Sequence, residues 1–397
     1  MPLTGSDVNT FAVQYLEDGP GVAEIDPRDA RARLRAAFAR LPISHVLLGW
    51  NLPSAVVEAC RQETARAGAR LFRWHPLLTG DSTFVPLPEW QTVGLDGEPV
   101  PGFRGLPEFT FVCPNRPAVR EAVGHHLHDV VRRGGYNGVF LDRVRYPSPA
   151  ADPARLLACF CDDCRRVAAS EGLDLEAVRQ RIRALLAQPE RAPGFIQALL
   201  GAPSPNSPDP DLAPLRAFLD FRARSVTRFV EAVAGQVRAE GLAVGLDCFS
   251  PALAHMVGQD LGALAGCCDW IKVMIYGHAF GPAGLPFELM DLVDWLIATG
   301  GGRRDGTTGV AFARDAAAPP TKPCRAAPAR AGAGGTGRRG AARTGGGRQP
   351  SACRHRAGRD RGRGAARSGA DPGRPARLPP GGRGWIGALV GPVAHSA

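Results

Sequence analysis

The sequence lacks the features that mark membrane or exported proteins. Its start has no basic segment followed by an apolar one, and no run approaches the roughly 18 apolar residues that a membrane helix needs. No Gly-rich phosphate fingerprint follows the first apolar run, which argues against a dinucleotide-binding fold. No His-x-His pair ends that run either, as a metal-dependent barrel hydrolase would require. These absences predict a cytoplasmic protein with no membrane partner.

Residues 301–397 contain little besides four residue types. Gly, Ala, Arg and Pro make up 71 of these 97 residues, and the aromatics are limited to Phe312 and Trp385. This segment carries 19 Lys+Arg against 4 Asp+Glu, whereas the first 300 residues carry 29 against 34, so the net charge of +10 arises here. Without a sustained apolar period, the segment is expected to be a disordered, low-complexity tail.

Two origins of this tail are compatible with its composition. A natural Arg/Gly-rich extension would be attracted to nucleic acid through phosphate neutralisation, although such segments usually interleave aromatic residues. A shifted reading frame of a GC-rich gene is the favoured alternative, because codons made only of G and C encode Gly, Ala, Arg and Pro. The basic charge is therefore not evidence of a nucleic-acid partner.

Before residue 300, short apolar runs alternate with amphipathic helices, as in a parallel sheet covered on both faces. Six runs are predicted strands: FAVQYLED, SHVLLGWN, ARLFRWHPL, GVFLDRV, AVGLDCFSP and DWIKVMIYG. Because each run ends in polar or aromatic residues, the six runs predict a (β/α)8 TIM-type barrel. The barrel is expected to span residues 1–300, with a helical insertion at about 150–212. Only TTGVAFARD and the weaker WIGALVGPV could supply further strands. The predicted barrel therefore lacks its last one or two strands.

Local signals predict the first helix and one long loop. Asp26 followed by Pro27 is typical of an N-cap and first helical position. The stretch Thr79–Leu106 is polar and rich in Pro and Gly, and loops of this length are often functional. The segment HHLH, residues 125–128, is predicted to be solvated helix surface and not a metal site.

Two strands change from apolar to charged residues at their carboxyl ends, which form the active-site face of a parallel barrel. GVFLDRVRY does so at Asp142, which shares a face with Phe140, and AVGLDCFSP does so at Asp247. Such a pair suits glycoside hydrolysis, with Asp142 as nucleophile or base and Asp247 as acid. Either residue could instead be structural, Asp142 in an ion pair with nearby arginines and Asp247 as a hydrogen-bond acceptor.

Further side chains are expected to line the same cleft. Aromatic rings at strand ends offer faces on which sugar rings pack. A lysine within a barrel strand must meet a carboxylate or a polar cavity. The predicted substrate-binding residues are Glu17, Trp50, Trp74, His75, Arg143, Arg145, Tyr146, Lys272 and Tyr276.

The segment CFCDDC holds three thiols within six residues, Cys159, Cys161 and Cys164. With Cys113 as a fourth ligand they could hold a structural zinc ion, although the ordinary pattern has two separate C-x-x-C pairs. Unliganded cysteines in a reducing compartment are the alternative. Catalysis itself is expected to require no cofactor.

Several of these segments together resemble a known group of proteins. CPNRPAVREAV, GYNGVFLDRVRYPS, ACFCDDCRR, GLDCFSP and DWIKVMIY are similar to segments of bacterial TIM-barrel proteins that are predicted glycoside hydrolases, related to the α-amylase-like barrels. The resemblance, over roughly residues 10–300, implies that Asp142 matches the fourth-strand nucleophile of the amylase-like retaining enzymes. Those enzymes carry an Arg two residues before it, where this sequence has Phe140, and their acid is often a Glu that has no match here.

These features predict a glycoside hydrolase that cleaves a carbohydrate by paired-carboxylate catalysis. The alternative is a catalytically inactive carbohydrate-binding barrel or a truncated pseudoenzyme. Aromatic strand ends serve binding as well as catalysis, and a barrel without its last strands leaves two sheet edges unpaired.

Overall fold

The computed structural model describes residues 11–16, 22–81, 84–201 and 209–300. In these ranges six strands form one parallel sheet, in which the order of the strands follows the order of the chain. The strands are β1 Phe11–Tyr15, β2 Ile43–Leu48, β3 Arg70–Pro76, β4 Gly138–Asp142, β5 Ala243–Phe249 and β6 Trp270–Met274. All six predicted strands are confirmed. TTGVAFARD and WIGALVGPV lie outside the described residues, so the architecture shown is a partial (β/α) barrel.

Helices connect the strands and cover the outer face of the sheet. They are α1 Pro27–Phe38, α2 Ser54–Arg66, α3 Pro117–Gly134, α4 Pro153–Leu156, α5 Asp162–Ser170, α6 Leu175–Leu186, α7 Ala192–Leu199, α8 Ala213–Ala239, α9 Pro251–Ala254, α10 Leu261–Ala265 and α11 Leu285–Ala298. The predicted insertion after β4 is helical and comprises α4 to α7. Among the described helices, none combines the length and the apolar character that crossing a bilayer requires.

Helix starts and ends follow local chemistry. The carboxylate of Asp26 accepts a hydrogen bond of 2.8 Å from the backbone N–H of Arg28, and Pro27 occupies the first position of α1, as predicted. At the carboxyl end of α3, Gly135 adopts a left-handed conformation with φ of 58°, which costs glycine little. The chain can therefore turn directly from α3 into β4.

The segment between β3 and α3 is irregular, as predicted for residues 79–106. It contains short 3-10 turns and isolated antiparallel bridges, such as Thr79 with Phe111 and Gln91 with Val112. The bridges fold the segment back on itself. We call residues 77–116 the excursion, because they leave the sheet after β3 and return at α3.

Strand alternation divides the core in two. The outer face of the sheet packs against the helices, whereas the inner face holds a compact aromatic cluster made of Ala12, Leu47, Phe72, Trp74, Phe140 and Trp270. The rings of Phe140 and Trp270 stack with centroids 5.1 Å apart and an interplanar angle of 7°. Trp270 also meets Phe72 edge-on at 5.5 Å. This cluster fills the base of the concave side of the sheet.

The sheet is curled, and a side-chain hydrogen bond links its first and last described strands. Lys272 Nζ, on β6, donates a hydrogen bond of 3.2 Å to Gln14 Oε1 on β1. Both residues are buried. Gln14 follows Ala12 by two positions and Lys272 follows Trp270 by two positions, so both lie on the inner face, next to the aromatic cluster in the direction of the carboxyl ends of the strands. The inner face therefore changes from apolar to polar toward the carboxyl ends of the strands.

Trp270→Ala should test how much the inner aromatic cluster contributes to stability. The substitution removes a ring that is 3% exposed, and a cavity of this kind costs about 3–5 kcal/mol of unfolding free energy. Urea denaturation followed by circular dichroism measures the change. Phe280→Ala, which removes a ring that is 74% exposed, is the matched control and should change the value by less than about 0.5 kcal/mol. Equal losses in the two variants would contradict the packing described.

Candidate active site

Register places two carboxylates and a lysine at one level of the inner face. Leu141 of β4 pairs with Leu246 of β5, so Asp142 and Asp247 are the next residues on neighbouring strands. Asp247 in turn pairs with Lys272 of β6. Asp142 ends β4, whereas Asp247 and Lys272 each lie two residues before the carboxyl end of their strand, the end at which parallel barrels hold their active sites.

Both oxygens of Asp142 accept hydrogen bonds. Trp74 Nε1 donates to Asp142 Oδ2 at 3.1 Å, and the backbone N–H of Arg143 donates to Asp142 Oδ1 at 2.6 Å. Asp142 is half-buried, so its carboxylate is fixed in orientation and still reachable. An oriented, accessible carboxylate can act as a nucleophile, as a base or as an acceptor for a bound hydroxyl.

Asp247 is enclosed and paired. Lys272 Nζ lies 2.7 Å from Asp247 Oδ2, and each side chain is 2% exposed. Asp247 Oδ1 has no hydrogen-bond partner among the described residues. The lysine also lies 5.1 Å from the ring centroid of Tyr276 and 5.5 Å from that of Phe140. Asp247 Oδ2 is therefore paired with the ammonium group of Lys272, and Oδ1 is the oxygen that can take up a proton.

Burial decides the protonation of this pair. It raises the pKa of Asp247 to about 7; the positive charge of Lys272 opposes the rise and the negative charge of Asp142 adds to it. Burial alone would lower the pKa of Lys272, but the attraction of Asp247 outweighs it and the pKa lies above its usual value. Burial also raises the pKa of Tyr276 to about 12. Lys272 is thus a cation at neutral pH, while Asp247 exchanges its proton there.

An aromatic wall borders Asp142. Trp50 and Trp74 meet edge-on with ring centroids 5.3 Å apart. The guanidinium of Arg143 lies 5.4 Å from the Trp50 ring and 4.5 Å from the ring of Phe109 in the excursion. Arg143 also donates hydrogen bonds to Thr79 Oγ1, at 2.8 Å, and to the carbonyl of Glu108. Its φ of 55° is left-handed, at a cost of roughly 1–2 kcal/mol that these contacts offset.

Arg145 and Tyr146 are more deeply placed than a substrate-contacting role requires. The Arg145 guanidinium lies between the rings of Phe111 and Phe249, at 4.6 and 4.5 Å from their centroids, and is 5% exposed. Burial lowers its pKa to about 10, so it remains charged. Tyr146 is completely buried beneath Arg222. Both support the cleft from behind.

Two other predicted substrate-binding residues do not join the group. His75 directly follows Trp74, so its side chain points to the outer face of β3, where it packs against His126 of α3 at 5.2 Å. Placing both residues in the cleft neglects the alternation of side chains along a strand. Glu17 lies outside the described residues. The residues that come together are therefore Asp142, Asp247, Lys272, Tyr276, Trp50, Trp74 and Arg143.

The HHLH segment is only partly solvated surface. His125 and His128 are exposed as predicted, but His126 is half-buried, and its Nε2 lies 3.3 Å from Asp81 Oδ2. His75, Asp81 and His126 place one possible ligand atom each within 4.8 Å of one another, an arrangement that could hold a metal ion. Burial lowers the pKa of His75 to about 3, so that imidazole is neutral.

A pocket of about 240 Å³, which none of the seven residues grouped around Asp142 and Asp247 lines, brings together residues that sequence reasoning missed. Phe109 and Phe111 of the excursion line it together with Arg145 and Glu288. Glu288, on α11, accepts hydrogen bonds from Ser148 Oγ at 2.5 Å and from the backbone N–H of Ala283. Ser148 and Glu288 are 140 positions apart, so no sequence pattern links them. A larger cavity of about 820 Å³ lies elsewhere, in a groove between α2 and α3.

The four cysteines predicted as a metal site are also brought together. Their sulfur atoms lie within 4.8 Å of one another and all four residues are buried. The cluster joins the end of the excursion to the insertion after β4. All eight cysteines in the described part of the chain are free thiols.

No protein-family model matches this sequence, and no curated protein sequence matches it. The structure is similar to the PgaB glycoside hydrolase domain from Bordetella bronchiseptica, with a TM-score of 0.42 and 17% identity over 75% of this chain and 82% of that one. It is also similar to the catalytic domain of β-amylase from Paenibacillus polymyxa, with a TM-score of 0.39 and 12% identity over 75% of this chain and 85% of that one. A third similar structure is α-L-fucosidase isoenzyme 2 from Paenibacillus thiaminolyticus, with a TM-score of 0.38 and 12% identity over 61% of this chain and 32% of that one. All three TM-scores lie below 0.5, so these likenesses carry no argument about this chain.

Lys272→Met should destabilise the protein more at alkaline than at acid pH. At pH 8.5 Asp247 is ionised in the native chain, and removing the partner of a buried charge costs about 3–5 kcal/mol. At pH 5.5 Asp247 already carries its proton, so the loss should be smaller. Urea denaturation at both pH values measures it. Arg61→Met, which breaks an exposed pair with Glu58, is the control and should cost less than about 1 kcal/mol at either pH.

The sign follows from the two pKa shifts. The pKa of Asp247 is raised, so its contribution to stability is largest in acid and declines from about pH 4 to about pH 7, as the unfolded chain ionises first. The pKa of Lys272 is raised too, so its contribution is complete below about pH 10 and declines above it. Without Lys272 the pKa of Asp247 rises further, which extends the decline to higher pH. A loss independent of pH would contradict this coupling.

Proposed function

We propose that this chain hydrolyses glycosidic bonds with Asp142 and Asp247 as its catalytic pair. The observation that carries the proposal is the placement of two carboxyl groups at one level on neighbouring strands, in unlike surroundings. Asp142 is held as an acceptor by two donors, whereas Asp247 has a pKa of about 7 and one oxygen free of partners. A carboxyl group that can carry a proton at neutral pH, next to a carboxyl group oriented as an acceptor, is what acid and nucleophile require.

The roles follow from these surroundings. Asp142, oriented by Trp74, attacks the anomeric carbon, and Asp247 donates its proton to the leaving oxygen. Lys272 holds Asp247 in place and stays a cation, so it is not an amine nucleophile. Half-buried Trp50 provides a ring face for the sugar, and Trp74, which is 8% exposed, supports it edge-on. The substrate is therefore a carbohydrate bound at the carboxyl ends of β3, β4 and β5.

Neighbouring strands favour the retaining mechanism. Adjacent strands are about 4.8 Å apart, and retaining glycosidases hold their carboxyl groups about 5–5.5 Å apart, whereas inverting enzymes leave space for a water at about 6.5–9.5 Å. Carboxyl groups at the same level on β4 and β5 fit the shorter spacing. The product released first should keep the anomeric configuration of the substrate, which proton NMR of the fresh product measures.

One observation favours a second candidate function. Asp247 is 2% exposed and already paired, as a structural residue would be. A carbohydrate-binding barrel without catalysis would keep the aromatic wall and Asp142 as a hydroxyl acceptor. Sugar binding by calorimetry without any turnover would support this candidate over the hydrolase.

Asp142→Asn and Asp247→Asn should each lower kcat by about 10³-fold on an oligosaccharide, since each removes one half of the pair. On 4-nitrophenyl glycosides, whose leaving group needs no proton, Asp247→Asn should retain most of its kcat/KM, which reports the first step, while its kcat falls because the residue is also the base of the second step. Asp142→Asn should lose both. Asp294→Asn, on the exposed side of α11, is the matched control and should keep native rates. Unchanged rates in both site variants would overturn the proposal.

The rate on an oligosaccharide should fall as the pH rises above neutrality. Asp247 must carry a proton to act as acid, and its pKa is about 7. Above that value kcat/KM should decrease about tenfold per pH unit, while the rate on 4-nitrophenyl glycosides should decrease less. A profile that is flat between pH 6 and 9 on both substrates would exclude Asp247 as the acid.

A further inference from the structure

The strongest unassigned feature of the structure is a buried cluster of four thiols. One comes from the end of the excursion, two from the link between α4 and α5, and one from α5 itself. All are at most 4% exposed, although they are separated by up to 51 positions in the chain: Cys113, Cys159, Cys161 and Cys164. A cluster assembled from two distant segments is not explained by the proposed catalysis.

The spacing of the sulfur atoms fits one tetrahedral metal ion. Cys113 Sγ lies 3.4 Å from Cys164 Sγ and 3.6 Å from Cys161 Sγ, and all four sulfurs are within 4.8 Å of one another. A zinc ion about 2.3 Å from each of four sulfurs would set them about 3.8 Å apart. The set is too compact for a cluster of several irons and matches a single ion.

The surroundings of the thiols suit metal-bound thiolates. The backbone N–H of Val93 donates to Cys159 Sγ at 3.3 Å, and Asn115 Nδ2 donates to Cys164 Sγ at 3.4 Å. Such donors fix ligand orientation in structural metal sites.

We propose that Cys113, Cys159, Cys161 and Cys164 bind one structural zinc ion. The ion would tie the excursion to the insertion, and Asn115 would extend the link to α8 through its hydrogen bond of 3.0 Å to Ser225. The excursion carries Phe109 and Phe111, which pack on Arg143 and Arg145 behind the catalytic pair. The metal therefore holds one wall of the candidate active site and takes no part in its chemistry.

Metal analysis of the full chain tests the proposal without any activity assay. The untagged protein, purified without chelator, should contain about one zinc per chain by mass spectrometry, and Cys161→Ser should contain less than about a tenth of that. Cys267→Ser is the matched control, because that thiol is buried outside the cluster and donates to a backbone carbonyl, as serine also can. It should keep the full zinc content.

A second measurement covers the case in which Cys161→Ser does not fold. Iodoacetamide labelling of the native chain, mapped by peptide mass spectrometry, should spare the four cluster cysteines until a chelator is added. Replacement of the zinc by cobalt should give the visible absorption of a tetrahedral cobalt thiolate. A native chain without zinc that takes up no cobalt, iron in place of zinc, or full zinc in folded Cys161→Ser would each overturn the proposal. None of these outcomes depends on whether the chain hydrolyses a sugar.

Discussion

The ion pair between Asp247 and Lys272 is the interaction on which the concave side of the sheet depends. It places two charged groups, each 2% exposed, above a layer of packed aromatic rings. Removing both from water is costly, and the pair persists because each satisfies the other and Gln14 accepts a further hydrogen bond. The same contacts join β5, β6 and β1. The polar layer thus links the first and last described strands and forms the floor of the candidate site.

Local patterns in the sequence were sufficient to predict the strands, the first helix cap and the face on which Asp142 lies. Apolar runs, Pro positions and the two-residue period depend on neighbours in the chain, so they are readable there. The contribution of Glu288 was not predictable, because it is made across 140 positions to Ser148. The placement of His75 failed for another reason: it took proximity to Trp74 in sequence for proximity in space, whereas alternation separates them.

The excursion and the insertion are the parts that distinguish this molecule from a bare arrangement of strands and helices. They add Phe109 and Phe111 above the carboxyl ends of β3 and β4, and these rings hold the two arginines that follow Asp142. Arginine stacked between rings keeps its charge while it is shielded from water. The result is two shielded cations that follow Asp142 in the chain and lie buried beside the candidate site.

The order of the sheet has a consequence for how the chain is assembled during synthesis. Each strand pairs with the strand made just before it, so every new strand and helix can dock on a surface that already exists. The hydrogen bond between Lys272 and Gln14 is the exception, since it spans 258 positions. Until β6 leaves the ribosome, the carboxyl group of Asp247 and the side-chain amide of Gln14 lack the ammonium group of Lys272, to which both are hydrogen-bonded in the folded protein. The nascent protein therefore keeps an open inner face for most of its translation, and acquires its polar floor in one late step.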